Sequence, residues 1–190
     1  MLRRGARIVR KAGAPIVLAM AVGGCAGHTR SAQSSMARQR EALAAYLRPL
    51  EPLRLAVNDL LEGADPILSA DHDHRLSGKQ ASRRMEALER RFAAYAVQIA
   101  TIEPDTPKLR SLQSLYTHTY VLEDSYLSAL VLALREGDFG ELPDTQSDQR
   151  AAIIQWRMGL EVIAQRAHYR LPGDLQVAGR GEIAPSPDGS

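Results

Sequence analysis

The feature that most constrains this chain is a run of apolar residues spaced alternately three and four positions apart. Its members are Met85, Leu88, Phe92, Tyr95, Ile99 and Ile102. This spacing places the side chains on one face of an α-helix and does not match the period of two that a half-buried strand requires. Because a helix with such a seam must bury it against partner helices, the pattern predicts a helical bundle.

The residues around this seam also predict where helices begin and end. Ser77 and Gln80 have the spacing of a capping box, so the seam-bearing helix is expected to start there. Thr106 followed by Pro107 is a favoured helix start, with an N-cap side chain and a proline at the first helical position. The next helix is therefore expected to begin at Thr106 and to end at Gly137.

Two further segments with helical spacing cover about residues 35–62 and 147–170. Gly63 is expected as the residue that ends the first of them. Pro49 and Pro52 interrupt that segment, and since a proline inside a helix costs about 3 kcal/mol, we expect a kink or a restart near them. Four helices of similar length with mostly short connections predict an all-α, up-down-up-down four-helix bundle over residues 35–171.

The composition agrees with this fold class. The chain has 190 residues, enough for one domain with a sizeable core, and 45% of them are hydrophobic. Leu and Ala, which are strong helix formers, dominate that apolar set. Residues 172–190 contain Gly, Pro and Ser without a period and are predicted to be a disordered tail.

The N-terminus has the order of a secretory signal. Residues 1–13 form a cationic leader without acidic side chains, and residues 14–22 form an apolar run of about nine residues. Such a run is far shorter than the roughly 20 residues that a permanent membrane-spanning helix needs. Residues 26–34, which are small and polar, are predicted to be a flexible tether.

The segment Val22-Gly23-Gly24-Cys25 follows the apolar run. It resembles the lipobox of bacterial lipoproteins, which has an aliphatic residue, two small residues and an obligatory cysteine. The resemblance implies that residues 1–24 are removed and that the thiol of Cys25 carries a diacylglycerol, with further acylation, for example by palmitate, in many species. Two or three acyl chains anchor a protein stably to a bilayer.

The alternatives are a plain secretory signal with an incidental cysteine, or an uncleaved N-terminal anchor. Cys25 is the only cysteine in the chain, and lipidation explains an unpaired thiol in an exported protein. Ala26 directly after it is typical of lipoproteins sorted to an outer membrane, although this inference is void in an organism with one membrane. The expected location is the cell membrane or outer membrane, with the domain facing the periplasm or the exterior.

The net charge of the whole chain is +2, but five basic residues and no acidic ones precede Cys25. The remainder has 19 basic and 22 acidic side chains, a net charge of −3. Because a nucleic-acid-binding domain needs a basic surplus to neutralise phosphates, nucleic acid is excluded as a partner. The expected partners are the bilayer, through Cys25, and envelope proteins.

One segment contains candidate metal ligands, which are Asp71, His72, Asp73 and His74. Imidazole and carboxylate are good ligands for zinc and related ions. In an extended loop over residues 64–76, the two histidines would point to one side and the two aspartates to the other. Each face then offers two ligands, so a closed site needs more from elsewhere. The alternative is a polar, solvated loop.

A second candidate is a ligand groove on the helix that starts at Thr106. His118 lies one position from the seam near Tyr116, and Glu123 follows along the same helix. The alternative for His118 is a residue at the edge of the core with one satisfied nitrogen. Trp156, with Met85 and Met158, is interpreted as a packing residue.

The seam-bearing helix is locally basic because it carries Arg83, Arg84, Arg90 and Arg91. Glu86 lies four residues before the third of these, a spacing that contributes a few tenths of a kcal/mol. We interpret this surface as a solvated helix face. Contact with anionic lipid headgroups is the less favoured interpretation.

No motif of a known catalytic class occurs in the sequence: Gly-x-Ser-x-Gly, His-Glu-x-x-His, a phosphate-binding loop and a dinucleotide fingerprint are absent. The Glu-x-x-His pairs of diiron bundles and the Cys-x-x-Cys-His of c-type haem are also absent. We therefore expect a non-enzymatic, cofactor-free envelope lipoprotein whose helical domain is an interaction or structural module. The alternative is a lipoprotein that binds a metal or small ligand through residues 71–74.

Overall fold

A computed structural model describes residues 26–176, and the side chains of residues 33–176. The helices are α1 (Ala26–Leu61), α2 (Ala64–His72), α3 (Gly78–Ala100), α4 (Pro107–Glu136) and α5 (Gln146–Arg166), followed by a 3₁₀ turn at Gly173–Leu175. The described part of the chain contains no strand, and the predicted all-α bundle is confirmed. The predicted signal segment, Cys25 and residues 177–190 lie outside the described residues.

The four long helices α1, α3, α4 and α5 form an up-down-up-down bundle. Helix α3 packs between α1 and α4, and α5 packs against both α4 and α1, so the four helices enclose one core. The short helix α2 lies in the connection between α1 and α3 and packs mainly on α3. Helical neighbours in the sequence are therefore neighbours in space, as short connections favour.

The predicted helix ends around the seam are confirmed. The backbone N–H of Gln80 donates to Ser77 Oγ at 3.4 Å, and the backbone N–H of Ser77 donates to Gln80 Oε1 at 2.9 Å, which completes a capping box. The side chain of Thr106 caps α4 by accepting from the backbone N–H of Leu109 at 3.3 Å, and Pro107 is the first residue of the helix. Gly137 ends α4 with φ of 73°, a left-handed conformation that glycine adopts without a steric penalty.

Helix α1 differs from the prediction at its two prolines. It continues through Pro49 and Pro52 from Ala26 to Leu61, so the predicted restart is wrong, while a kink at this place stays a prediction. Each proline removes one backbone hydrogen bond, but Tyr46 before them, Leu50 between them and Val57 after them are buried in the core. This packing on both sides of the prolines holds the chain in one helix.

The predicted tether over residues 26–34 is also helical, as the first quarter of α1. Propagation of an existing helix adds one hydrogen bond per residue and needs no new nucleus, and Ala, Arg, Gln and Met favour it. The side chains of residues 33–41 are exposed except for the partly buried Met36, and the first buried residue is Leu43. The N-terminal part of α1 thus lies outside the core. None of the described helices is long and apolar enough to cross a membrane.

The predicted loop over residues 64–76 mostly consists of α2. Gly63 follows the end of α1 at Leu61 by two residues, close to the predicted end of this helix. Its φ of −71° and ψ of −10° are right-handed, and it joins α1 directly to α2. Ala64 and Leu68, one turn apart, are buried, and this packing decides the helix. A nine-residue helix is too short for its period to stand out in the sequence.

Histidines end two of the helices. His74 has φ of 57°, and the next residue, Arg75, donates its backbone N–H to Ala70 O at 2.8 Å. This is the Schellman arrangement that usually contains glycine. The same arrangement follows α5, where His168 has φ of 48°. Both histidines therefore have a backbone role in stopping a helix.

Residues 172–190 were predicted to be disordered, and for residues 172–176 this prediction is wrong. The chain turns back after α5 and buries Leu175. The carboxylate of Asp174 forms an ion pair with the buried guanidinium of Arg54 on α1, and its backbone oxygen accepts from Arg157 Nη1 at 3.0 Å. The sequence hides these contacts because a single leucine and a single acid show no period.

Candidate functional site

The structure places the predicted metal ligands around the end of α2. Asp71 and His72 belong to the last turn of the helix, Asp73 is its C-cap residue, and His74 is the left-handed residue after it. The extended-loop geometry behind the metal prediction is therefore wrong, and the side chains do not alternate between two faces.

The contacts of these residues do not form a metal site. Among the residues that the structure describes, no group of three or more His, Cys, Asp or Glu side chains is arranged to hold a metal ion. Asp73 instead forms an exposed ion pair with Arg75, with Oδ2 and Nη2 2.9 Å apart. The two histidines are exposed.

The predicted ligand groove of α4 is not formed by its three residues. Tyr116 and Glu123 are buried in the bundle, whereas His118 is exposed on the opposite side of the helix. Two positions along a helix correspond to a rotation of about 200°, which separates His118 from Tyr116. Tyr116 and Glu123 remain as members of a polar interior.

Of the predicted packing residues, Trp156 and Met85 are fully buried, which confirms their interpretation. The interpretation of Met158 as a packing residue is wrong, because 56% of its surface is exposed. This residue lies two positions after Trp156 and so faces away from the core.

The interior contains a chain of hydrogen bonds that touches all four long helices. The indole Nε1–H of Trp156 on α5 donates to the hydroxyl oxygen of Tyr46 on α1 at 3.1 Å. That hydroxyl donates to Gln113 Oε1 on α4 at 2.9 Å, and Gln113 Nε2 donates to the backbone oxygen of Ile99 on α3 at 2.6 Å. Burial raises the pKa of Tyr46, so its phenol keeps the proton that it donates.

A row of aromatic rings extends from this chain of hydrogen bonds. Tyr116 stacks on Trp156 with ring centroids 4.0 Å apart and meets Tyr120 edge to face at 5.2 Å. Tyr120 in turn stacks on Phe92 of α3 at 5.5 Å, and the hydroxyls of Tyr116 and Tyr120 are 2.9 Å apart. Such contacts fix the relative rotation of the helices because aromatic rings prefer these geometries.

Glu123 lies one turn beyond Tyr120, with only 1% of its surface exposed. Gln149 Nε2 on α5 donates to its Oε2 at 2.6 Å, while its Oε1 has no hydrogen-bond partner in the described structure. Burial raises the pKa of Glu123 to about 7, and the hydrogen bond from Gln149 opposes this only in part. The carboxyl group therefore changes its charge near neutral pH.

The space next to Glu123 is small. A cavity of about 10 Å³ lies between Thr119, Tyr120, Glu123 and Gln149, with apolar side chains of α1 and α3 around it. This volume is about that of one water molecule. A substrate cannot reach the carboxyl group without a change in the packing of the bundle.

Two larger spaces lie between α1 and α3 and are open to solvent. The first, of about 510 Å³, lies where Tyr46 and Pro49 face the end of α3, and its lining includes Glu103 and Asp105. The second, of about 420 Å³, lies further along α1 beside Arg84 of α3. Both of these spaces lie at the surface of the bundle, and Glu123 lines neither of them.

Gln113 and Gln149, which form hydrogen bonds with Tyr46 and Glu123, are not among the residues predicted from the sequence. A signal for both was present: Gln113 lies four residues after Leu109, and Gln149 lies seven residues before Trp156. These are core positions of their helices, and a polar residue at such a position predicts a buried hydrogen bond.

Comparison with known proteins gives no assignment for this arrangement. No family model, no curated protein and no solved structure matches the chain.

Proposed function

We propose that this protein is a membrane-anchored lipoprotein of the bacterial cell envelope and that its bundle is a non-enzymatic interaction or structural module. In this proposal Cys25 carries the lipid, and the domain faces the periplasm or the exterior. The observation that carries the second part is that the buried carboxyl group of Glu123 lies away from the two open surface grooves. The buried carboxyl group of Glu123 has only a water-sized cavity beside it, while the larger volumes are surface grooves.

The N-terminal part of α1 supports the proposed anchor. Residues 26–34 are helical, and the side chains described before the first buried one, Leu43, are exposed or partly buried. The exposed stretch over residues 33–41 corresponds to about 14 Å at 1.5 Å per residue. A helix with an exposed N-terminal part fits a role as a stalk between a bilayer and the bundle better than the flexible tether that we first expected.

The anchor can be tested by growing bacteria that express the full chain with an alkyne-bearing palmitate. We expect label on the wild-type protein and its recovery with membranes, and loss of both in Cys25→Ser. The assay is specific because the chain has no second cysteine. An unlabelled wild-type protein, or a Cys25→Ser protein that keeps the label, would contradict the proposal.

The interaction role needs a separate experiment with the same lipidated chain. A photo-crosslinking amino acid can replace exposed apolar residues on different helices, such as Val97 on α3, Val121 on α4 and Val162 on α5. An interaction module predicts a discrete adduct from one face and none from the others. Equal, diffuse adducts from all three positions, or none from any, would contradict it.

A further inference from the structure

The second surface groove combines an apolar floor with positive charge, and we name it the basic groove. It is lined by Ala56, Asp59, Leu60, Gly63 and Ile67 of the first two helices and their junction, and by Arg84, Ala87, Leu88, Arg91 and Tyr95 of α3. The α3 residues recur every three or four positions and so form one face of that helix. From Arg84 to Tyr95 this face is about 16 Å long.

The two arginines of the basic groove have no acidic partner. In the described part of the chain, neither Arg84 nor Arg91 forms an ion pair, although Arg90 between them in sequence pairs with Glu86 at 2.9 Å. Arg84 and Arg91 are two helical turns apart, about 10 Å, and both line the same space. Guanidinium groups match the geometry of carboxylate and phosphate and bind them through paired hydrogen bonds.

We propose that the basic groove binds a single-chain anionic lipid. Arg84 and Arg91 hold its carboxylate or phosphate head, and its alkyl chain covers the apolar side chains of the lining that remain accessible, which are Ile67, Ala87 and Tyr95. This inference concerns a site that the proposed lipid anchor does not use, and it stands whether or not Cys25 is acylated.

The volume of the basic groove favours a small ligand. At about 420 Å³ it is within the range of small-ligand sites. The two guanidinium groups without an ion pair favour an anionic head, and the apolar side chains beside them favour an alkyl chain.

The one acid of the basic groove gives the proposal a second charge test. Asp59 on α1 lines the same space as the two arginines and forms no ion pair with either of them. It lowers the positive potential that an anionic head meets. Asp59→Asn should therefore strengthen binding of the anion, severalfold at low ionic strength, where charge interactions are least screened.

The test is titration calorimetry of the full chain with Cys25→Ser, purified without detergent, against dodecanoate and dodecyl phosphate below their micelle concentrations. Arg84→Gln with Arg91→Gln should weaken binding at least tenfold. Arg83→Gln with Arg90→Gln is the matched control, because it removes the same charge at the same spacing from residues outside the groove. That control should change the affinity less than twofold.

A further variant keeps the charge and fills the space. Ala87→Trp places a large side chain on the groove floor from an exposed helix position, and we expect it to abolish binding of dodecanoate. Circular dichroism of each variant checks that the bundle remains folded.

Several outcomes would overturn the proposal. The first is no binding of dodecanoate or dodecyl phosphate, and the second is equal weakening of binding by the two double arginine substitutions. The third is an affinity for inorganic phosphate or for dodecyltrimethylammonium equal to that for dodecanoate. The fourth is binding to phosphatidylglycerol vesicles without binding to either single-chain anion. Tighter binding of an acidic amphipathic peptide than of dodecanoate would also overturn it, because the groove would then be a protein-binding surface.

Discussion

The interior of the bundle and the basic groove both contain polar groups, but they differ in how those groups are satisfied. In the interior, Tyr46, Gln113 and Trp156 bond to one another within the protein, and the space beside Glu123 measures about 10 Å³. In the basic groove, two guanidinium groups face about 420 Å³ of open space without an internal partner.

The difference shows which polar groups serve the fold. A buried donor or acceptor that loses its partner costs about 1–3 kcal/mol, so the interior network penalises helices that pack in another register. An exposed arginine has no such cost because water solvates it. Substitutions in the interior should therefore change stability, whereas substitutions in the basic groove should change binding alone.

The largest effect is expected from Trp156→Ala. It removes a fully buried ring that stacks on Tyr116 and donates to Tyr46, and we expect a loss of about 3–5 kcal/mol in the free energy of unfolding. Urea denaturation measures this loss. Met158→Ala, two positions away and exposed, is the control and should change stability by less than about 0.5 kcal/mol. Similar losses for both would contradict the assigned packing.

The next effect depends on pH. Glu123 has a pKa of about 7 when folded and an ordinary value of 4.5, so the folded state holds its proton more tightly. The contribution of the Glu123 carboxyl group to the free energy of unfolding is fully present below pH 4.5 and is lost as the pH rises through 7. The free energy of unfolding of Glu123→Gln should therefore gain about 2.5 kcal/mol relative to that of wild type between pH 5 and pH 8.5.

Denaturation of both proteins at the two pH values measures this gain. Glu86→Gln on the surface of α3 is the control and should show no comparable change. If the difference between Glu123→Gln and wild type were constant with pH, the raised pKa would be wrong.

A smaller loss is expected from Tyr46→Phe, which keeps the ring but removes one hydroxyl. Trp156 Nε1 then loses its acceptor and Gln113 Oε1 its donor, and we expect a loss of about 2 kcal/mol in the free energy of unfolding. The control is Tyr95→Phe, because this ring is partly buried and its hydroxyl forms no hydrogen bond in the described structure; it should cost less than about 0.5 kcal/mol. An unchanged stability of Tyr46→Phe would show that the network is dispensable.

The smallest effect belongs to the basic groove. Arg84→Gln with Arg91→Gln should change the free energy of unfolding by less than about 0.5 kcal/mol, because neither side chain has an ion pair to lose. A thermal scan at matched pH and salt checks it. Destabilisation by more than 1 kcal/mol would mean that these arginines serve the fold, and the contrast between the two regions would fail.

The long helices and their caps could be predicted from the sequence because they depend on neighbours. The seam of α3, the capping box at Ser77 and the proline start of α4 are patterns within one continuous stretch of sequence. Tyr116 and Glu123 were singled out as candidate site residues from their positions on α4. Their burial, however, comes from other helices.

The parts that could not be predicted depend on contacts between distant residues. Gln149 meets Glu123 across 26 positions, and Arg54 meets Asp174 across 120. Helix α2 also depends on a distant contact, because it packs mainly on α3. Its nine residues are too few to show a helical period in the sequence. The left-handed histidines were missed because glycine, not histidine, is the usual signal.

The ion pair between Arg54 and Asp174 joins two residues that are synthesised far apart in time. The arginine leaves the ribosome 120 residues before its carboxylate partner, so no N-terminal fragment that ends with α5 contains the pair. A unit that keeps this ion pair must therefore extend at least to Asp174, beyond Arg166, where the last long helix ends. A fusion or truncation designed from helix boundaries alone would cut through the domain.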